Sequence, residues 1–232
     1  TADFHIGSCY RPRFSCCIIN AGVYMPQPDI LIIDDDPLVR EIASDILKEE
    51  GYTVQIVPDA REAVRWFQTA SAQNYLPAHN NLGWMTMRGQ GGLVLDNAAG
   101  LKLIQQAADS GHPWSQANIA WMYRRGFHSL PKDPEAALAT YRKAAAQGYA
   151  PAQIELAAAY AQGEGVTANL LTALELYRKA ADQGSADACL ALAELYASGE
   201  AAPRNAADSA NALYERAAEA GNTHAADRLA ER

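Results

Sequence analysis

Along most of this chain, apolar and polar positions follow the spacing of paired α-helices. Leu82, Ile119, Leu156 and Leu192 each stand four residues before Thr86, Tyr123, Tyr160 and Tyr196. That i,i+4 stripe marks one helical face. The strings that carry it are residues 78–85, 115–123, 152–160 and 188–196, and the helices they predict, called A here, stop at Gly89, Gly126, Gly163 and Gly199. A second set, called B, ends on Ala pairs followed by a turn residue. Lys143-Ala144-Ala145-Ala146-Gln147-Gly148 and Lys179-Ala180-Ala181-Asp182-Gln183-Gly184 are nearly the same string. Looser copies close at Gly111 and Gly221, and a fifth closes at Asn74. Ala has the best helix propensity, and Gly takes the left-handed position after a helix without steric penalty, with Asn next best.

The closing residues at 74, 111, 148, 184 and 221 are 37, 37, 36 and 37 residues apart. A period of this size over five copies is the signature of a stacked-repeat protein. Counting back 15 residues from the first four gives Asp59, Asp96, Asp133 and Asn169, all of them N-cap types, and Glu62 stands in capping-box spacing to Asp59. The predicted B helices are 60–73, 97–110, 134–147, 170–183 and 206–220, with a last short helix at about 223–231. One helix pair of this length cannot bury its apolar stripe alone. Stacked copies make one continuous core, a right-handed α-α superhelix with a concave surface.

The pattern A-x-x-x-L-G/A-x-x-Y-x-x-G, a short loop, then D/N-x-x-x-A-x-x-x-Y/W-x-x-A-A-x-x-G resembles the Sel-1-like repeat, a tetratricopeptide-like solenoid. Leu82-Gly83, Leu156-Ala157, Tyr160, Gly163, Ala137, Ala173, Tyr141, Tyr177 and the Ala pairs carry the resemblance across about 59–231. It implies a mainly α fold and a non-catalytic protein-interaction scaffold.

The chain before residue 59 has another character. Ile30-Leu31-Ile32-Ile33 reads as a short buried parallel strand, residues 38–50 as an amphipathic helix capped by Gly51, and residues 52–57 as a second strand. The wording I-L-I-I-D-D-D-P-L-V-R-E…G-Y-x-V resembles the opening of a response-regulator receiver domain, which makes 29–58 a truncated receiver-like β-α-β fragment. In that family the Asp pair after the first strand, here Asp34 and Asp35, helps hold Mg²⁺. Paired carboxylates at a strand end suit such a cation. The receiver's later strands have no counterpart here. Asp96, after Leu93-Val94-Leu95, falls in the register of an N-cap and not of a phosphoacceptor. The expectation is therefore a vestigial acidic turn, with Mg²⁺ as a cofactor only if that pair is functional. A two-stranded unit with open edges is marginal by itself. It is expected to cap the first B helix, hiding Ile30, Ile32, Val54 and Ile56, or to pair two copies as a homodimer through its strand edge. Residues 1–28 read as a poorly structured leader. Arg11 and Arg13 before the apolar stretch 14–24 allow a signal peptide, while Met25 allows a natural start just ahead of the first strand.

Composition narrows the partners. Of 232 residues, 49% are hydrophobic and 20% charged, which fits a folded chain of one or two domains. A net charge of −8 without a basic stripe disfavours nucleic acid. No apolar run is long enough to span a membrane. Cys9, Cys16, Cys17 and Cys189 match neither a one-per-repeat disulfide staple nor a zinc spacing, so free thiols in a cytoplasmic protein are expected. The five histidines stand at helix starts or in loops, with no readable catalytic partner. Gly89-Gln90-Gly91-Gly92 lacks the Lys of a phosphate loop and reads as turn chemistry.

The concave face of such a solenoid is lined by A helices, one and two positions off the core register. Asn81, Trp84 and Arg88 recur as Asn118, Trp121 and Arg125, at i, i+3 and i+7. Asn can pair with a peptide backbone, Trp offers flat apolar area, and Arg can take a carboxylate bidentately. The later copies turn small and acidic: Glu155, Ala158 and Gln162, then Ala191, Glu194 and Ser198. The expectation is a site for an extended or acidic peptide, weighed against simple packing of the two Trp rings between helices. The function read from the sequence is a cytoplasmic adaptor of bacterial-type signalling. The alternatives are a phosphorylation-dependent two-component response regulator with a solenoid output domain, and an exported repeat protein of the envelope.

Overall fold

The computed structural model describes residues 17–20, 30–33, 54–57, 59–199 and 206–230. Three short strands come first: β1 (Cys17–Asn20), β2 (Ile30–Ile33) and β3 (Val54–Val57). They form one sheet in the order β1-β2-β3. β2 and β3 run parallel with Ile30 opposite Val54. β1 runs antiparallel to β2, with Cys17 opposite Ile33 and Asn20 opposite Ile30. β1 lies within residues 1–28, where a poorly structured leader is expected. Ile18 and Ile19 are β-branched and suit a strand, but their run is cut short by Asn20, which hid the signal. With β2 in the middle, a strand edge open to a second copy would belong to β1 or β3. The helix expected at 38–50, the Asp34/Asp35 turn, and the side chains of Ile30, Ile32, Val54 and Ile56 lie outside the described residues.

Ten helices follow among the described residues. α1 (Ala60–Ala72), α2 (Leu76–Arg88) and α3 (Asn97–Asp109) belong to one compact unit, residues 1–110. α4 (Pro113–Arg125), α5 (Pro134–Ala146), α6 (Ala150–Gln162), α7 (Leu170–Asp182), α8 (Ala186–Ala197), α9 (Ala206–Glu219) and α10 (Thr223–Ala230) belong to the other, residues 111–232. Each unit is a stretch of α-α solenoid in which A and B helices alternate and sequence neighbours pack together.

The B helices start where their caps require. Asp59 accepts from the amides of Arg61 and Glu62, Asp96 from Ala99, Asp133 from Ala136 and Asn169 from Thr172. Each such bond satisfies an amide that has no partner within the helix. Each B helix ends one residue before the predicted limit. The residues at 74, 111, 148, 184 and 221 all take positive φ, Asn74 at 60°. The A helices begin two residues earlier than their apolar strings suggest. Pro77, Pro113 and Pro151 stand in their first turns, where a missing amide leaves no hydrogen bond unmade.

The cores follow the predicted stripe. Leu82, Ile119, Leu156 and Leu192 are all buried. In the first unit Leu82 joins Ala63, Val64, Phe67, Ala78 and Met85. The Gly-rich segment closes this unit: Gln90–Gly92 forms a 3₁₀ turn, and Gly91 lies so close to α1 that a Cβ there would meet Ala60 O and sit 2.6 Å from Val64 Cγ2. The second unit holds two overlapping clusters, one around Leu138, Tyr141 and Leu156, the other around Leu174, Tyr177, Leu192, Tyr196 and Tyr214.

Candidate functional site

The duplicated Trp and Arg are brought together, once in each unit. On α2, the Arg88 guanidinium carbon lies 5.1 Å from the centre of the Trp84 ring; on α4, Arg125 lies 5.1 Å from that of Trp121. The i,i+4 spacing stacks one side chain over the other on the helix surface. A guanidinium over an indole face is held by the ring quadrupole and keeps its N–H edge free to donate. Both Arg side chains are exposed, and neither makes an ion pair among the described residues. Both Trp rings are half-buried. Trp121 packs against the core around Leu138 and Leu156 and meets the Phe127 ring at 5.2 Å. The two readings of the Trp residues thus coexist: one face belongs to the core, the other supports an exposed cation. The Asn positions diverge. Asn81 is half-buried, whereas Asn118 is 8% exposed and faces inward.

In the second unit the later copies build a charged row. Arg124 on α4 donates to Glu155 on α6 at 2.5 Å and to Glu164 beyond the end of α6 at 3.0 Å. Burial pushes the Tyr177 phenol on α7 up to about 12, with Glu155 and then Glu194 adding to the effect. Arg178 on α7 donates to the Tyr196 hydroxyl on α8 at 2.8 Å. Glu194 lies 3.6 Å from His224 Nε2. Ser198 turns its hydroxyl back to the Leu195 carbonyl and Gln162 is exposed.

Asp96 is committed to its helix cap, as expected. Asp34 and Asp35 lie outside the described residues. Among the described residues, no group of three His, Cys, Asp or Glu is placed to hold a metal ion, and no helix is long and apolar enough to cross a membrane.

The helix pairs coincide with a known repeat. Five Sel1 repeats match at residues 46–75, 76–112, 115–149, 150–185 and 186–222. The chain belongs to the Sel1 repeat family. Its four full copies each start at an A helix and end just past the following B helix. A Sel1 repeat protein from Oxalobacter formigenes is similar in structure at 26% identity and a TM-score of 0.66, over 82% of this chain and 76% of that one. The protective antigen c5321 of uropathogenic Escherichia coli, described as displaying an SLR fold, is similar at 31% identity and a TM-score of 0.62, over 79% of this chain and 38% of that one. Among curated proteins, the alkaline phosphatase synthesis transcriptional regulatory protein SphR of Synechococcus elongatus is 31% identical over 48 residues. A protein of Leptolyngbya boryana, described as an uncharacterized 14.6 kDa protein, is 42% identical over 40 residues. The chain covers only 19% and 30% of the length of these two.

Within this Sel1 array, three polar features escaped the sequence reading. His112 caps α4: its Nδ1 accepts from the Ser115 hydroxyl at 2.8 Å and faces the Ser115 amide at 3.4 Å. Burial pulls its pKa down to about 4. Gln147 donates to the Gln116 side chain and Gln183 to that of Gln153, both at 2.9 Å, so successive B-helix ends are tied to successive A helices. Gln153 in turn donates to the Ala145 carbonyl at 3.4 Å. The recurrence of Gln116 at Gln153 and of Gln147 at Gln183, one repeat apart, was the available signal. The fourth copy breaks the series with Cys189 in the Gln position, and there Arg216 on α9 donates to the Ala181 carbonyl at 3.0 Å. Cys189 is a buried free thiol whose pKa burial raises, against the opposing pull of Arg216.

Proposed function

We propose that this Sel1 repeat chain is a protein–protein interaction scaffold of bacterial signalling, a cytoplasmic adaptor that grips a peptide segment of its partner through the A helices. The carrying observation is the pair of cation–π stacks, Arg88 on Trp84 and Arg125 on Trp121, with the same 5.1 Å geometry in both units. Each stack presents flat apolar area beside a pre-oriented guanidinium, the combination that anchors protein interfaces and captures carboxylates. An acidic peptide suits these two pairs. Asn81 is placed to add a backbone contact; Asn118, being buried, serves the packing of α4 instead. The Sel1 fold supports the scaffold part of the reading. Peptide-library binding tests it, comparing wild type with a Trp121→Ala, Arg125→Ala double variant and with the matching change at Trp84 and Arg88. Unchanged binding with intact helicity would remove the proposal.

The similarity to SphR, a transcriptional regulatory protein, favours a second reading in which Asp34 and Asp35 retain Mg²⁺ and the chain responds to phosphorylation. Beryllofluoride or a small phosphodonor separates the two: only the second reading predicts modification or a spectral change.

A further inference from the structure

The two Trp–Arg stacks share their geometry but not their surroundings. Phe127 and His128 follow α4, and their rings extend the second stack. Arg125 lies over the Trp121 ring, the Phe127 ring meets Trp121 at 5.2 Å, and the His128 imidazole stands edge-to-face with Phe127 at 4.1 Å. The backbone beneath these rings is pinned. The Phe127 amide donates to the Met122 carbonyl at 3.1 Å, the Leu130 amide to the Phe127 carbonyl at 3.1 Å, and the Asp133 amide to the Tyr123 carbonyl at 2.8 Å. One repeat earlier the corresponding residues are Gln90 and Gly91, so the first copy has no ring at either position.

His128 is an unexpected residue for its place. Its φ is 54°, and among the described residues only Asn74 shares a positive φ without being glycine. The residues 37 positions before and after it, Gly91 and Gly165, hold φ of 63° and 69°. Glycine adopts this region freely, while a residue with a Cβ is strained there. In those two copies the turn also leaves no room for a side chain. A Cβ on Gly91 would sit 2.6 Å from Val64 Cγ2, and one on Gly165 would sit 3.1 Å from Leu138 Cδ1. In the second copy the histidine is exposed. A ring held out to solvent on such a backbone contributes little to folding that glycine would not, and strain of this kind collects at functional sites. The charge beside it is positive in a chain of net −8. Arg125 makes no ion pair among the described residues, and Lys132 is exposed next to Gly126.

We propose that Phe127 and His128 form a seat for an aromatic side chain of the partner, next to an acidic residue whose carboxylate Arg125 takes. A ring from the partner adds to the row in the tilted or offset contacts that aromatic pairs prefer, and the pinned loop holds the row ready for it. The seat deepens the scaffold reading and rests on it, since one peptide segment must reach both Arg125 and the rings. It also separates the two stacks: only the second selects an aromatic neighbour of the acidic residue.

The test titrates the full chain with N-acetylated, C-amidated Gly-Asp-Phe-Gly, Gly-Asp-Ala-Gly and Gly-Asn-Phe-Gly. Binding is followed by NMR at the indole N–H signals of Trp121 and Trp84, assigned by their absence in Trp121→Phe and Trp84→Phe. At Trp121 the Asp-Phe peptide binds about 3- to 10-fold more tightly than the Asp-Ala peptide, the usual worth of an aromatic pair. At Trp84 the two bind equally. His128→Gly and His128→Asn suit the same backbone and remove the ring; each abolishes the preference at Trp121, and His128→Gly melts no lower than wild type. Equal affinities at Trp121, no measurable binding of either aspartate peptide, or a preference that survives both His128 changes overturns the seat. A His128→Gly chain that melts lower and keeps the preference shows a turn residue and no seat. If the Asn-Phe peptide binds as tightly as the Asp-Phe peptide, the carboxylate grip of the scaffold reading fails while the ring seat stands. If the aspartate is required but phenylalanine and alanine are equal, the seat alone fails.

Discussion

Gly83 and Gly100 face one another where α2 crosses α3. A Cβ built on Gly83 would lie 2.7 Å from the Gly100 carbonyl oxygen, and one built on Gly100 would lie 2.5 Å from that of Gly83. Both clashes are with backbone, which cannot swing aside as a side chain would. Gly83→Ala and Gly100→Ala should each destabilise the first unit by about 1–3 kcal/mol, the usual result of overpacking. The gain of up to ~1 kcal/mol in helix propensity is too small to offset this. Urea unfolding of each variant against wild type measures it; a stabilised variant would show that the helices part freely.

Elsewhere in the array the same crossing is filled differently. Ala120 and Ala137, Ala157 and Ala173, and Ala193 and Ala210 stand one, two and three repeats on from the Gly pair, and all are buried. The A/B crossing therefore demands small residues throughout and tolerates nothing larger than hydrogen in the first copy.

His112 gives the second unit an acid-sensitive cap. Its pKa is about 4 in the folded chain against about 6.5 when exposed. Between those values the unfolded chain binds a proton that the folded chain refuses, so stability falls as pH drops from about 6.5 to 4 and is flat above. The ceiling is on the order of 3 kcal/mol for a shift of this size. His112→Asn keeps a capping side chain and should flatten the profile across that window. Thermal melts at pH 7 and pH 4.5 for both proteins decide it: an equal drop in the two would clear His112 of the effect.

Gln153 holds both ends of a link, accepting from Gln183 and donating to the Ala145 carbonyl. It is 4% exposed. Gln153→Ala removes both bonds of a buried side chain and opens a void, so a loss of about 1–3 kcal/mol is expected. Gln183→Ala, at an exposed residue, should lose at most about 1.5 kcal/mol. Comparable losses at the two sites, measured by denaturant unfolding, would show that burial of Gln153 is not what gives the link its value.

Asn74 holds φ at 60°, where the later copies use glycine. Asn74→Gly should therefore be neutral or stabilising by a few tenths of a kcal/mol, and Asn74→Ala destabilising by about 1 kcal/mol, since a Cβ without a hydrogen-bonding amide fits this region poorly. The difference in melting temperature between these two variants is the readout.

The array was legible in the sequence because its punctuation is chemical. Asp59, Asp96, Asp133 and Asn169 are types favoured at a helix start, and Asn74, Gly111, Gly148 and Gly184 are types favoured just past a helix end, so the limits followed from residue type at a fixed spacing. β1 was missed because its apolar run ends at Asn20 and merges into the apolar stretch that precedes it. The Trp–Arg stacks were half legible. Their i,i+4 spacing gave the stacking, while the burial of Asn118 depends on packing that no spacing rule states. Tyr177 and His112 were invisible because each owes its character to burial, while the glutamine links left only the recurrence of Gln116 at Gln153 and of Gln147 at Gln183.

Cys189 and Arg216 have a practical meaning for anyone who would lengthen, shorten or shuffle this array. Copies two and three are joined by Gln153, which reaches back from the first turn of α6 to the Ala145 carbonyl, whereas the last joint is fastened by an arginine reaching back from the helix beyond it. A module cut out with Cys189 but without Arg216 would arrive without the fastening at its seam. Grafts should therefore be made just ahead of α6, where the fastening side chain travels in the first turn of the incoming copy.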